Sequence, residues 1–105
     1  MHSDASELVK RSGTYKAFLT TLDCTGSSDF TWTPQLGCFS FNGNRDMYSI
    51  LFNGVNICQS GNYRLTRYIG SFNCQGASTT GTGGGGATCF NNNGNSFKSF
   101  KVECA

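Results

Sequence analysis

The stretch Cys38-Phe39-Ser40-Phe41-Asn42-Gly43-Asn44 returns about 50 positions later as Cys89-Phe90-Asn91-Asn92-Asn93-Gly94-Asn95, giving C-F-x-x-N-G-N twice. Working outward, Leu22-Asp23-Cys24-Thr25-Gly26-Ser27-Ser28 matches Phe72-Asn73-Cys74-Gln75-Gly76-Ala77-Ser78 at a similar offset. Met47-Tyr48-Ser49-Ile50-Leu51-Phe52 matches Phe97-Lys98-Ser99-Phe100-Lys101-Val102. Upstream, Gly13-Thr14-Tyr15-Lys16 aligns with Gly61-Asn62-Tyr63-Arg64 across a two-residue gap. Blocks repeating in one order indicate an internal duplication. We read one domain over residues 12–105, built from two halves of roughly 12–57 and 58–105, behind a leader or propeptide of residues 1–11.

Both halves read as β. Tyr15–Leu22 and Tyr63–Phe72 are rich in aromatic and β-branched residues, which favour strands. Phe97–Val102 suits a strand partly covered on both faces. The pairs Asn42-Gly43, Asn53-Gly54 and Asn93-Gly94 favour the positive φ of tight hairpins. Only Ser6–Lys10 has a helical cast, and Gly81–Gly86 cannot hold a helix. That glycine run satisfies G-x-G-x-x-G formally, but no strand–helix context surrounds it, so it reads as a solvated loop.

The chain has 105 residues, with 14 Gly, 1 Pro and only 13% charged side chains. A domain this small has a marginal core unless something braces it. The 6 Cys supply that brace. Their even number in a short, loop-rich chain reads as a disulfide framework, and hence as a secreted, extracellular protein. No C-x2-C pair stands beside a His, so the alternative of a metal site is weaker. Equivalent halves suggest equivalent bridges, Cys24–Cys38 and Cys74–Cys89. The remaining Cys58 and Cys104 would then tie the halves together. Lys10-Arg11, after an acidic polar stretch, reads as a dibasic processing site of the secretory pathway, or else as two solvated cations. Met1 to Asp4 contains no apolar signal segment, so a natural leader would have been cut away. No N-x-S/T sequon occurs, which argues against N-glycosylation.

The second half carries a resemblance. Tyr63-x4-Tyr68-x-Gly70 is similar to the aromatic-x4-aromatic-x-Gly folded hairpin of the βγ-crystallin family. Ser99 matches the family's serine, whose hydroxyl pins that hairpin, and Ser49 is its counterpart. The resemblance covers about 90 residues. It implies an all-β fold of two duplicated Greek-key halves in a disulfide-stapled sandwich, with Gly70 at positive φ. Thr20 stands where the first half would need its Gly, so a looser or different hairpin is expected there. A KP6-like α/β sandwich is the alternative fold. The βγ proteins nearest in character are the small secreted killer toxins of yeasts and streptomycetes. With the dibasic pair, the chain resembles fungal small secreted cysteine-rich, effector-type proteins.

Function is read mostly by exclusion. A net charge of +2 gives no electrostatic case for nucleic acid. The one His, His2, lies at the chain start, so no Ser-His or Cys-His pair can be assembled, and no enzyme activity is expected. Asp23, Asp29, Asp46 and Glu103 would serve a glycosidase only if two of them faced one cleft. Calcium sites of the βγ type would use residues 44–49 and 94–99. Arg45 and Lys98 put cations where calcium wants oxygens, so no metal or cofactor is expected. Arg64, Arg67, Lys16, Lys98 and Lys101 read as a mild basic strip or simply a solvated face.

The halves differ most between their paired cysteines. The first half carries Asp29-Phe30-Thr31-Trp32-Thr33-Pro34-Gln35-Leu36, the second an almost bare Thr79–Thr88. Asp29, Phe30, Trp32 and Gln35 are the candidate binding loop, since function concentrates in loops on a rigid scaffold. Trp32 is either an exposed anchor or a core residue. The expectation is a secreted, non-enzymatic toxin or effector, monomeric, that binds a host or competitor-cell target (protein, glycan or membrane). The alternatives are a carbohydrate-binding module, supplied by ten Asn, four Tyr and Trp32, or a protease inhibitor presenting Asp29–Leu36.

Overall fold

The computed structural model describes residues 12–40 and 45–105. The leader with Lys10-Arg11, the Ser6–Lys10 segment and Asn42-Gly43 lie outside the described residues. Eight strands follow in order: β1 (Ser12–Phe18), β2 (Phe30–Trp32), β3 (Gly37–Ser40), β4 (Ser49–Asn56), β5 (Tyr63–Tyr68), β6 (Ser78–Gly83), β7 (Ala87–Asn91) and β8 (Ser99–Cys104). The described residues contain no helix, so the α/β-sandwich alternative is set aside.

The strands form two antiparallel four-stranded sheets, ordered β2-β1-β4-β7 and β3-β8-β5-β6. Read from β2 and from β6, the two sheets run in the same order. The third strand of each half, β3 or β7, sits in the other half's sheet. Met47 and Phe97 meet between the halves, each amide donating to the other's carbonyl at 2.8 Å.

The register shows which positions correspond. Phe18 faces Ser49 and Tyr15 faces Phe52. Tyr68 faces Ser99 and Leu65 faces Val102. Tyr15 therefore corresponds to Leu65, and the gapped alignment of Tyr15 with Tyr63 is corrected. The offset stays at 50 through these strands because the β1–β4 pairing absorbs its extra residue in a bulge between Ser12 and Thr14. Gly13 makes that bulge possible: a Cβ there would lie 2.4 Å from Asn53 O and Gly54 C, at a φ of +90°. Asn53-Gly54 thus belongs to β4 rather than to a hairpin turn. Asn93-Gly94 is a tight turn, with φ of 52° and 85° closed by an Asn92–Asn95 bridge.

Between the sheets lies an aromatic core. Tyr15 stacks on Phe52 at 4.1 Å and Phe39 on Phe100 at 5.1 Å. An edge-on contact from Tyr15 to Phe39 and a tilted one from Phe52 to Tyr63 cross the layer. Buried Met47, Ile50, Val55, Leu65, Phe90, Phe97 and Val102 complete it.

Three disulfides brace this body, and two differ from the expected pairing. The bridges are Cys24–Cys89, Cys38–Cys74 and Cys58–Cys104. Cys24–Cys38 and Cys74–Cys89 do not form, because β3 and β7 have exchanged sheets and carried their cysteines with them. Cys89 faces Leu51 on β4, and Cys38 faces Lys101 on β8. Each therefore lies beside the loop that folds over the other half. The exchanged pairs close spans of 65 and 36 residues. The chain-entropy account assigns such spans about 4 kcal/mol each, against about 3 for the expected short loops. Three bridges in so small a body are typical of extracellular proteins.

Candidate functional site

The segment from Asp29 to Leu36 is held down at several points. The Asp29 amide donates to Ala17 O at 2.8 Å, and its carboxylate accepts the Leu19 amide at 2.8 Å. Asp29 is thus an anchor of the loop rather than a group offered to a partner. The Tyr15 hydroxyl donates to Gln35 O at 3.0 Å, so Gln35 contributes its backbone to the scaffold. Pro34 between these anchors is fully buried.

Phe30 and Trp32 lie opposite Ala17 and Tyr15 in the register, on the inner side of the edge strand β2. Trp32 is half-buried. It meets Phe100 edge-on at 5.3 Å and Phe39 at 6.1 Å, so it closes one side of the core. Phe30 leans on Trp32 at 4.7 Å and stays exposed. Leu36, which ends the segment, is 53% exposed, the highest among the large apolar side chains of the described residues. Phe30 and Trp32 thus form an apolar pair on the edge strand, and Leu36 is exposed four residues further along the same segment. Leu36 closed the segment in the sequence but was not among its candidate binding residues, because a single leucine before a glycine carries no periodic signal.

At the opposite edge the corresponding positions are filled differently. Gly81 faces Leu65 as Trp32 faces Tyr15, and Arg67 stands where Ala17 stands. The guanidinium of Arg67 lies over Phe90 at 5.4 Å, the place that Trp32 takes over Phe39. A large residue on the edge strand with a small one beside it has been exchanged for the reverse. Arg67 is buried, so it is no part of a basic strip.

Of the other cations, Lys16 lies on β1 in one sheet, while Arg64 on β5 and Lys101 on β8 lie in the other. Lys98 pairs with Asp46 at 2.9 Å and lies over the Phe72 ring at 4.9 Å. Lys101 pairs with Glu103 at 3.6 Å. Asp46 also accepts the Ser96 hydroxyl at 2.9 Å. The lysine and serine bonds hold its carboxyl below the ordinary 3.8. The Asp46 oxygens that a calcium ion would need are thus taken by an ammonium and a hydroxyl.

The hairpin residues come together in both halves. The Ser99 hydroxyl donates to Ser71 O at 2.6 Å and accepts the Cys74 amide at 3.0 Å. Ser49 does the same with Thr21 O at 2.7 Å and the Cys24 amide at 3.1 Å. The first hairpin is therefore pinned like the second, not looser. Gly70 does not adopt positive φ. The left-handed residues are Cys24 and Cys74, followed by Gly26 and Gly76, so the fold-over lies further along than Tyr63-x4-Tyr68-x-Gly70 implies. Tyr63 is fully buried and Tyr68 partly so.

The glycine run is also corrected. Gly81 and Gly83 belong to β6, and their missing side chains admit aromatic rings. A Cβ on Gly83 would stand 2.4 Å from the Tyr63 hydroxyl oxygen, and one on Gly81 3.2 Å from the Phe90 ring.

Among the described residues there is no pocket and no group of three or more metal-ligating side chains. No protein-family model, curated protein or solved structure matches the chain.

Proposed function

We propose that this is a secreted, non-enzymatic, toxin- or effector-like protein that acts by binding a molecule of a host or competitor cell through the Phe30–Leu36 segment, with Phe30, Trp32 and Leu36 as its apolar contacts. The scaffold is read as a duplicated Greek-key sandwich related in design to the βγ-crystallins. The shared strand order of the two sheets, the exchange of β3 and β7, and the matching Ser49 and Ser99 contacts support that reading.

The observation that carries the functional reading is the asymmetry of the two edges. At corresponding positions, β2 presents Phe30 and Trp32 while β6 presents Thr79 and Gly81. Apolar side chains left exposed on a braced edge favour a binding role, and aromatic anchors dominate such contacts. Since the segment pairs as a strand instead of projecting, a protease-inhibitor loop is the weaker reading.

The test is a growth-inhibition and plant-infiltration panel with the disulfide-intact protein and the double variant F30S/L36S. Both side chains are exposed, so the variant is expected to fold. Activity on at least one cell type, reduced at least about ten-fold in the variant, supports the proposal. Silence across a broad panel, or equal potency of the two proteins, contradicts it. A glycan array run with the same pair shows whether the target is carbohydrate.

A further inference from the structure

Arg67 is the only charged side chain among the described residues that the sandwich buries, at 6% exposure. No carboxylate pairs with it, and its Nε has no hydrogen-bond partner. Burial alone lowers its pKa. A buried guanidinium without a counter-charge is costly. The contact with Phe90 offsets only part of that cost. Volume does not require an arginine either, because the apolar Trp32 fills the corresponding space at the other edge.

The tip of Arg67 lies beneath β6. A Cβ on Gly81 would stand 3.7 Å from its Nη1. β6 is the longest of the four edge strands, with 6 residues against 3 in β2, 4 in β3 and 5 in β7. It pairs with β5 without a break, from Tyr63 with Gly83 to Tyr68 with Ser78. Its sequence, Ser-Thr-Thr-Gly-Thr-Gly, has neither charge nor proline. Edge strands are usually guarded by charges, prolines or bulges, and this one has none of them. A strand laid beside β6 would stand two strand spacings, about 9.6 Å, from β5. Its inward side chains would point under an edge that is bare at Gly81, toward the Phe90 ring and the guanidinium.

We propose that β6 is a strand-addition site for an extended peptide segment of a partner protein. An aspartate or glutamate of that segment reaches under Gly81 to pair with Arg67. Main-chain hydrogen bonds along β6 supply affinity, and the buried cation selects the sequence and fixes the register. The site lies on the opposite edge from β2 and does not depend on the function proposed there.

The test uses the ¹⁵N-labelled, disulfide-intact protein. The probe is a short acetylated peptide of alternating threonine and valine with one central glutamate, compared with the same peptide carrying glutamine. Saturable shifts are expected at the amides of Ser78–Gly83 and at the Arg67 Nε–H. The glutamate peptide should bind about ten-fold tighter than its twin. R67M should remove that difference while leaving the β6 shifts. If R67M fails to fold, the wild-type Arg67 Nε–H decides, since it should move with the glutamate peptide only. Equal affinities, shifts at β2, β3 or β7 instead, or no saturable shift overturn the proposal.

Discussion

The amide of Cys24 rests on the hydroxyl of Ser49, 3.1 Å away and twenty-five positions later in the chain. Cys74 and Ser99 repeat the contact at 3.0 Å with the same separation. Each serine is fully buried, and each also donates to a carbonyl of the hairpin it pins. Replacing either by alanine strands a buried amide and a carbonyl together. S49A and S99A should each lose about 1–3 kcal/mol in urea unfolding, with similar values for the two. A loss below about 0.5 kcal/mol in either would deny the pin its role.

Gly83 and Gly85 are two residues apart in one glycine run, yet they have different work. A methyl at Gly83 meets the immobile end of Tyr63, while a methyl at Gly85 meets nothing within 4 Å. G83A should cost about 1–3 kcal/mol through overpacking, and G85A should stay within about 0.5 kcal/mol of the parent. Thermal melts of the two variants side by side check this.

Two buried tyrosines differ in the same way. Tyr15 donates to Gln35 O, whereas Tyr63 makes no hydrogen bond of good geometry. Y15F should cost about 1 kcal/mol, and Y63F should be neutral or slightly stabilising. Burial pushes the Tyr63 phenol up to about 12, with the Thr88 hydroxyl opposing, and raises Tyr15 as well. The folded state therefore holds these protons more tightly than the unfolded chain. That stability is complete below pH 10, the ordinary value, and is lost as pH rises toward 12. Alkaline unfolding followed by circular dichroism should shift to higher pH in Y63F.

This pattern was only partly legible in the chain. The duplicated blocks, the aromatic and β-branched runs and the even number of cysteines were enough for a bridged all-β body, because strand propensity is local; the Asn-Gly pairs were a weaker guide, since Asn53-Gly54 lies within β4 and Asn93-Gly94 is the one that turns among the described residues. The exchange of β3 and β7 is not local. Nothing within Cys38-Phe39-Ser40 says which sheet it joins, so two bridges were mispaired. Nor does Arg67 announce its burial: it sits in Tyr63-Arg64-Leu65-Thr66-Arg67-Tyr68 two positions after Leu65, and the ring it lies against, Phe90, belongs to β7 in the other sheet. Trp32 answered to both readings, closing the core with one side and meeting solvent with the other.

Asp46 and Lys98 join the two halves by an ion pair at the surface. The lysine and serine bonds lower the Asp46 pKa, so the unfolded chain binds its proton more readily than the native state. The contribution is present above the ordinary 3.8 and fades as pH falls through the lower, folded value. It is small, as for other partly exposed pairs. In a carboxyl NMR titration, Asp46 should protonate below the ordinary range, and K98M should bring it back up.

The exchange of β3 and β7 is the central claim, and non-reduced tryptic mapping tests it most directly. Trypsin cuts after Lys16, Arg45, Arg67 and Lys98, which leaves Cys24 and Cys38 in one peptide, 17–45, and Cys74 and Cys89 in another, 68–98. With bridges Cys24–Cys89 and Cys38–Cys74, these two peptides travel as one mass until reduced. If 17–45 and 68–98 run separately without reductant, each half closes on itself and the exchanged-strand architecture is wrong.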